Sequence, residues 1–361
     1  MLTILDKYIL KRYLSTFTVM ILMFIPIGIT IDISEKVNKM IENKVPLAAI
    51  AQYYVDFTIY FANLLFPIFL FLSIIWFTSQ LANKTEIIAI LSSGISFTRF
   101  LRPYIIGATF VSIFALLMGF FLVPKASDGF KNFRFMYLIG NGQNEMRDNT
   151  DVYRQINKDE YIYVSNYNSA SKMGFNFSME KFEKDKLKYK VTANSIKWNP
   201  KDSSYTLNNY TKRKVGPLGD IIETSQKKDT ILKFDLEDLT PVVYIAETLP
   251  YTKLLRFIEK ERQRGSTNIN VYLVVLYKKY SIPISAFILT IIAVAVSSMK
   301  RRGGMGINLA IGISLAFAYV FLDKVFGVLA EKSTYPPIIA VWFPNIVFGI
   351  LAIFLLRNAK R

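Results

Sequence analysis

Three sets of residues in this chain have the types and spacing to do chemistry, and each points to charge pairing or anion binding. Asp32, Glu35, Lys36 and Lys39 form two overlapping acid-to-base pairs, each four residues apart. On a helix that spacing and order stack Asp32 against Lys36 and Glu35 against Lys39. The group is either a surface ladder of ion pairs or a basic rim, Lys36 and Lys39, for the phosphates of an anionic lipid. Asp323 and Lys324 interrupt a long apolar run. Ionisable groups there are expensive and face a cavity or a partner, unless Lys324 extends to the membrane interface. Asn83-Lys84-Thr85-Glu86 has the form of a helix start, with Asn83 as the cap and Glu86 three positions on. Ile87, Ile88, Ala89, Ile90 and Leu91 follow, and Ser92, Ser93 and Gly94 close the segment. A short helix over about 83–94 either packs on its own bundle, with Glu86 only a cap, or presents its apolar strip to a partner.

The residues that are missing narrow the chemistry further. The chain has no histidine and no cysteine. That removes the usual general base, the commonest metal ligand and any disulfide framework. No GxxxxGK[ST] loop binds nucleotide phosphates, and no HExxH pair holds a metal. The spans do not carry the several buried carboxylates of an ion-driven transporter, although Asp323 alone remains. We expect no enzyme and no cofactor. The net charge of +17 would raise nucleic acid in a soluble protein, but no nucleic-acid motif is present and topology accounts for much of the excess.

The elements that position these residues follow from hydropathy. Apolar residues make up 52% of the chain, high for a soluble protein and ordinary for one half in a membrane. Runs of about 18 or more apolar residues satisfy their backbone in lipid only as helices. Six such runs occur: 13–31, 54–79, 103–123, 271–297, 307–329 and 336–356. Pro26 and Gly28 in the first predict a kink or a close-packing notch. The first run is too long for a signal peptide and lacks a cleavage site. The short loops with Lys7, Lys11 and Arg12, with Lys84, Arg99 and Arg102, and with Lys300, Arg301 and Arg302 fall on one side, together with the basic tail. The excess of Lys and Arg places that side, and both termini, in the cytoplasm.

Between the two sets of three spans lies a mostly polar insert, 124–270. YIYVSNY, FNFSMEKF, LKYKVTANSIKW, YTLNNYTKRKV and ILKFDL are short, aromatic and β-branched, several with alternating character. Their spacing predicts strands of a sandwich or jelly roll. YTKLLRFIEKERQRG then predicts a helix over about 251–264, with Leu254, Leu255 and Ile258 on one face and Gly265 as its stop.

The residues also carry a resemblance. PPIIAVWFPNIVFGI at 336–350, LDKYILKRYLSTF at 5–17, TEIIAILSSGIS at 85–96, the 251–265 helix and YKKYSIPIS at 277–285 resemble the LptF/LptG family, permease subunits of the bacterial lipopolysaccharide exporter. The resemblance spans nearly the whole chain and is nearer the G type. It implies six spans around a periplasmic jelly roll and a paralogous six-span permease as partner. It implies a cytoplasmic P-loop ATPase dimer as motor, a periplasmic bridge protein as acceptor and, in some members, a single-span regulatory protein beside span one. Lipopolysaccharide would reach a cavity between the permeases. The family's coupling acid corresponds to Glu86, and its basic residues near the end of span one to Lys36 and Lys39. The family's Leu-Arg in the coupling stretch is absent, since Ile90, Leu91 and Ser92 stand there.

The expectation is therefore an α-helical membrane protein with six transmembrane helices, 1–123 and 271–361, and an all-β periplasmic jelly-roll-like domain inserted at 124–270. It would be a permease subunit that moves lipopolysaccharide out of the inner membrane. Glu86, Ile87, Ile90, Leu91 and Gly94 would couple to the ATPase, and Lys36, Lys39 and Lys324 would meet the lipid. The alternatives are a non-transporting membrane protein whose β domain binds a partner by strand addition, or a secondary transporter.

Overall fold

In the computed structural model, the structure describes residues 3–139, 147, 149–184, 186–200, 202–216, 219–232, 234–242, 244–298, 304–332 and 335–359. The chain forms two compact units. One comprises Met1–Leu138, Glu247–Tyr251 and Leu273–Arg361, the other Ile139–Ala246 and Thr252–Tyr272. The expected basic loop Lys300-Arg301-Arg302, with Lys360 and Arg361 of the tail, lies outside the described residues.

The first unit is helical. Helix α1 is Ile4–Glu42, α2 is Leu47–Asn83, α3 is Glu86–Ser92 and α4 is Phe97–Leu117. A π-helical turn, Met118–Leu122, joins α4 to α5, Val123–Phe133, and a second, Arg134–Leu138, follows. After the β domain come two single turns, α6 (Leu236–Leu239) and α7 (Ile245–Thr248), then α8, Tyr251–Gln263. Helices α9 (Ile269–Ser297), α10 (Gly304–Lys332) and α11 (Pro337–Ala359) complete the chain. Among the described residues, six helical stretches are long and apolar enough to cross a membrane.

The elements run longer than the hydropathy implied. From Ile4 on, the expected basic lead at 1–12 is the first part of α1, started by a capping box in which Thr3 and Asp6 exchange hydrogen bonds. The third span does not end at 123, because its helix continues to Leu138. Charged residues of 125–134 resemble a polar insert, yet Phe130 and Phe133 are buried. This is an amphipathic helix with its aromatic stripe against α1 and α2. The notch expected near Pro26 is at Gly28, where a Cβ would lie 2.5 Å from the Phe61 ring. Helix α9 is the most enclosed span, with two-thirds of its apolar window buried. The main core around it gathers Tyr13, Leu70, Phe77, Tyr104, Leu289 and Tyr319 among others.

The second unit is built on one antiparallel sheet of six strands: β1 Thr150–Asn157, β2 Glu160–Asn168, β3 Met173–Glu183, β4 Lys186–Asn199, β5 Ser204–Lys214 and β6 Ile221–Thr230. The all-β insert is as expected, and its strand order is β1-β2-β3-β4-β5-β6. That is a meander, and the crossing connections of a jelly roll are not found among the described residues. The reason is local: the connections are too short for anything but hairpins. Val152, Ile162, Val164, Phe177, Ile196 and Leu207 form the buried face, closed by Leu236 and Leu239 of α6. Gly174 lets β2 and β4 close in, since a Cβ there would lie 2.9 Å from Val164. Two strands escaped the sequence reading. β1 is one, and β6, exposed at most positions, is the other. Conversely ILKFDL is no strand: its Leu232 and Phe234 pack on the sheet core and its Leu236 begins α6. Helix α8 forms as expected, with Leu254 and Ile258 buried and Gly265 at φ 66° as its stop. Leu255 is exposed instead.

Candidate functional site

Three places in the helical unit hold the residues singled out from sequence. The first is α3. Its expected cap, Asn83, is the last residue of α2, and Thr85 precedes α3 in the left-handed region at φ 62°. A β-branched residue there is strained, and the segment is closed by Gly94 at φ 87°. So α3 is a rigid turn between two sharp corners. Ile87 is buried in the main core, and Ile90 and Leu91 pack against it. The apolar strip therefore faces its own bundle and is not presented outward. Ile88 is half exposed, and Ala89, Ser92 and Ser93 share the outward side with it. Glu86 accepts a hydrogen bond from the Tyr8 hydroxyl at 3.0 Å.

The second place is the far end of α1. Asp32 and Lys36 pair as the spacing predicts, but inside the protein. Asp32 is buried and also accepts from the Tyr53 hydroxyl at 2.9 Å. The Lys36 ammonium donates to the same hydroxyl at 2.9 Å. It lies 5.6 to 6.0 Å from the ring centres of Tyr53, Phe57 and Phe130, within cation–π range of all three. Lys36 is thus enclosed in an aromatic box, neither a free rim nor a surface ladder. Lys39 and Glu35 are exposed, and no ion pair joins them among the described residues.

The third place lies along α10. Asp323 does not pair with its neighbour but with Lys278 of α9, at 2.9 Å. Gly327, one turn on, leaves the room: a Cβ there would lie 3.1 Å from the Lys278 nitrogen. Lys324 is exposed. Lys278, Lys279, Asp323, Lys324 and Glu331 line a cavity of about 260 Å³ that reaches Tyr60 on α2. Lys279 is buried and donates at 2.7 Å to the Gly119 carbonyl, within the π-helical turn. Such turns leave backbone carbonyls without their usual helical partner. Lys278 and Lys279 were not singled out as site residues from sequence, although adjacent lysines inside an apolar run are a signal for function.

Two further contacts were not foreseen. Arg99, at the start of α4, grips Asp6 of α1 with both terminal nitrogens, at 2.6 and 2.8 Å. This is the bidentate geometry of a strong charge-assisted pair. Asn345, in the Pro-Asn step of α11, donates to the Ser281 hydroxyl at 2.8 Å and accepts from Tyr319 at 2.9 Å. It ties α9, α10 and α11 together, so this motif positions helices.

A family model described as lipopolysaccharide export system permease LptF/LptG matches residues 7–358. Two curated relatives are each named lipopolysaccharide export system permease protein LptG, one from Escherichia coli strain K12 and one from Escherichia coli O6:H1 strain CFT073. Each is 20% identical over 364 residues, covering 98% of this chain and 98% of the relative. The chain belongs to the LptF/LptG family of lipopolysaccharide export permeases.

Proposed function

We propose, with that membership as premise, that this chain is one permease subunit of an ATP-driven exporter that lifts lipopolysaccharide out of the inner membrane. The observation that carries the proposal is the single family match across both helical halves and the insert, residues 7–358. Both termini and α3 face the cytoplasm, and the β domain is periplasmic. The chain pairs with a paralogous six-span permease, nearer itself to the G type. A separate dimeric P-loop ATPase supplies the energy, a periplasmic bridge protein receives the lipid, and a single-span regulatory protein can join beside α1.

The site roles proposed follow from what each side chain faces. Glu86 is the coupling contact, and Ile88 and Ala89 are the surface beside it. Ile87, Ile90 and Leu91 anchor α3 to the bundle, and Gly94 sets its angle. Lys39 and Lys324, exposed on α1 and α10, meet the lipid's anionic groups as point charges. Lys36 holds α1 in place and does not face the lipid.

The test is to purify the tagged protein in mild detergent and identify what accompanies it. A P-loop ATPase and a second six-span protein are the expected companions. Glu86→Ala should keep the complex assembled and lose lipopolysaccharide-stimulated ATP hydrolysis. Purification without an ATPase would remove the reading, and full stimulation in Glu86→Ala would remove the coupling role given to that residue.

A further inference from the structure

The contact between Tyr8 and Glu86 deserves a role of its own. Among the described residues it is the one side-chain hydrogen bond that joins α3 to another helix. The other side-chain bonds of the segment are local: Thr85 donates to Lys84, and Ser93 to Ile90. The backbone corners at Thr85 and Gly94 leave α3 as a short rod between two left-handed residues. Strain at Thr85 is of the type stored at switch regions.

Tyr8 is itself fixed. The Arg12 guanidinium lies 5.2 Å from its ring centre, one turn along α1. Two residues before Tyr8, Asp6 is buried and held by Arg99 of α4. The start of α1 is therefore attached to α3 through Tyr8 and to α4 through Asp6. Helix α1 runs unbroken from Ile4 to Glu42, about 58 Å at helical rise. Its far end is clamped to α2 through Asp32, Lys36 and Tyr53.

We propose that Tyr8 is a positioning residue: its hydroxyl fixes the Glu86 carboxylate and passes movement of α3 directly to α1. The inference rests on the coupling role proposed for Glu86 and adds the route by which that contact reaches a lipid-facing helix. Glu86 then has two tasks. One oxygen is held by Tyr8, and the remaining acceptor positions are free for a cationic group of the ATPase.

The test uses the whole complex, assembled with label-free partners, and the chain's lack of cysteine, which makes introduced labels unique within this chain. Spin labels at Lys11→Cys and Ser92→Cys report the separation of α1 and α3 in lipid nanodiscs. Tyr8→Phe removes the hydroxyl and keeps the ring. It should broaden that distance distribution. It should also lower the ratio of lipopolysaccharide-stimulated to basal ATP hydrolysis about three- to tenfold, the scale of one exposed hydrogen bond. The melting temperature should stay as in the parent, and adding Tyr8→Phe to Glu86→Ala should cost nothing more, as for residues acting as a unit. An unchanged stimulation ratio in Tyr8→Phe, whatever the labels report, overturns the inference and leaves Glu86 as the coupling contact. Unchanged stimulation in Glu86→Ala overturns the coupling reading and this route with it.

Discussion

Two acid–lysine pairs look alike in the sequence and end in opposite environments. Asp32 and Lys36 meet each other inside an aromatic box. Asp323 and Lys324 part: the acid turns to Lys278 of another helix, and the lysine faces outward. Helical geometry explains the difference. Residues four apart lie on one face, one turn above the other, so a neighbouring helix meets both together. Adjacent residues point about 100° apart at 3.6 residues per turn, so they find partners on different neighbours. A charged dipeptide inside a span is therefore poor evidence for an internal pair, and i,i+4 spacing permits one where a neighbouring helix covers that face, as at Asp32 and Lys36 but not at the exposed Glu35 and Lys39.

The sharpest way to break this comparison is to remove one member of the enclosed pair. Asp32→Ala leaves the Lys36 ammonium among aromatic rings without its carboxylate. It should cost about 2–4 kcal/mol in detergent unfolding, the scale for breaking a mostly buried pair. A loss within error would mean that the cation–π contacts alone carry Lys36. The Asp323–Lys278 pair, with each side chain about a quarter exposed, should couple by about 1 kcal/mol in a double-mutant cycle. No coupling would reduce it to a chance approach. At the small end, Lys39→Ala and Lys324→Ala should each change stability by less than about 0.5 kcal/mol while weakening lipid-stimulated hydrolysis. A stability loss as large as that of Asp32→Ala would show these lysines to be structural as well, and the difference between the two regions would disappear.

The same contrast shows what could be read from the residues. The six spans, the all-β insert and the Asp32–Lys36 pair are encoded locally, by apolar run length and by spacing along one helix. The site was less legible where it depends on what lies across a helix boundary. Nothing at Tyr8 announces Glu86, 78 positions away. Glu86 was identified, but the facing of its helix was not. Ile87 to Leu91 are apolar on every side of a seven-residue helix, so periodicity cannot decide which face is buried. Strand β6 was missed for a related reason: exposed on most positions, IIETSQKKDT lacks the alternation that burial imposes. Phe130 and Phe133 were hidden by the charges around them, which occupy the other face of the same helix.

The strand order of the insert has a consequence for how the protein is made. Each strand pairs only with its neighbours in sequence, so each hairpin is complete once its second strand has been synthesised. Contacts of short sequence separation form quickly, and each strand waits only for the one that directly follows it. The sheet can be finished while α9, α10 and α11 are still being synthesised. A domain built in this order leaves few unpaired edges open at any moment of synthesis, which shortens its exposure to misassembly during biogenesis.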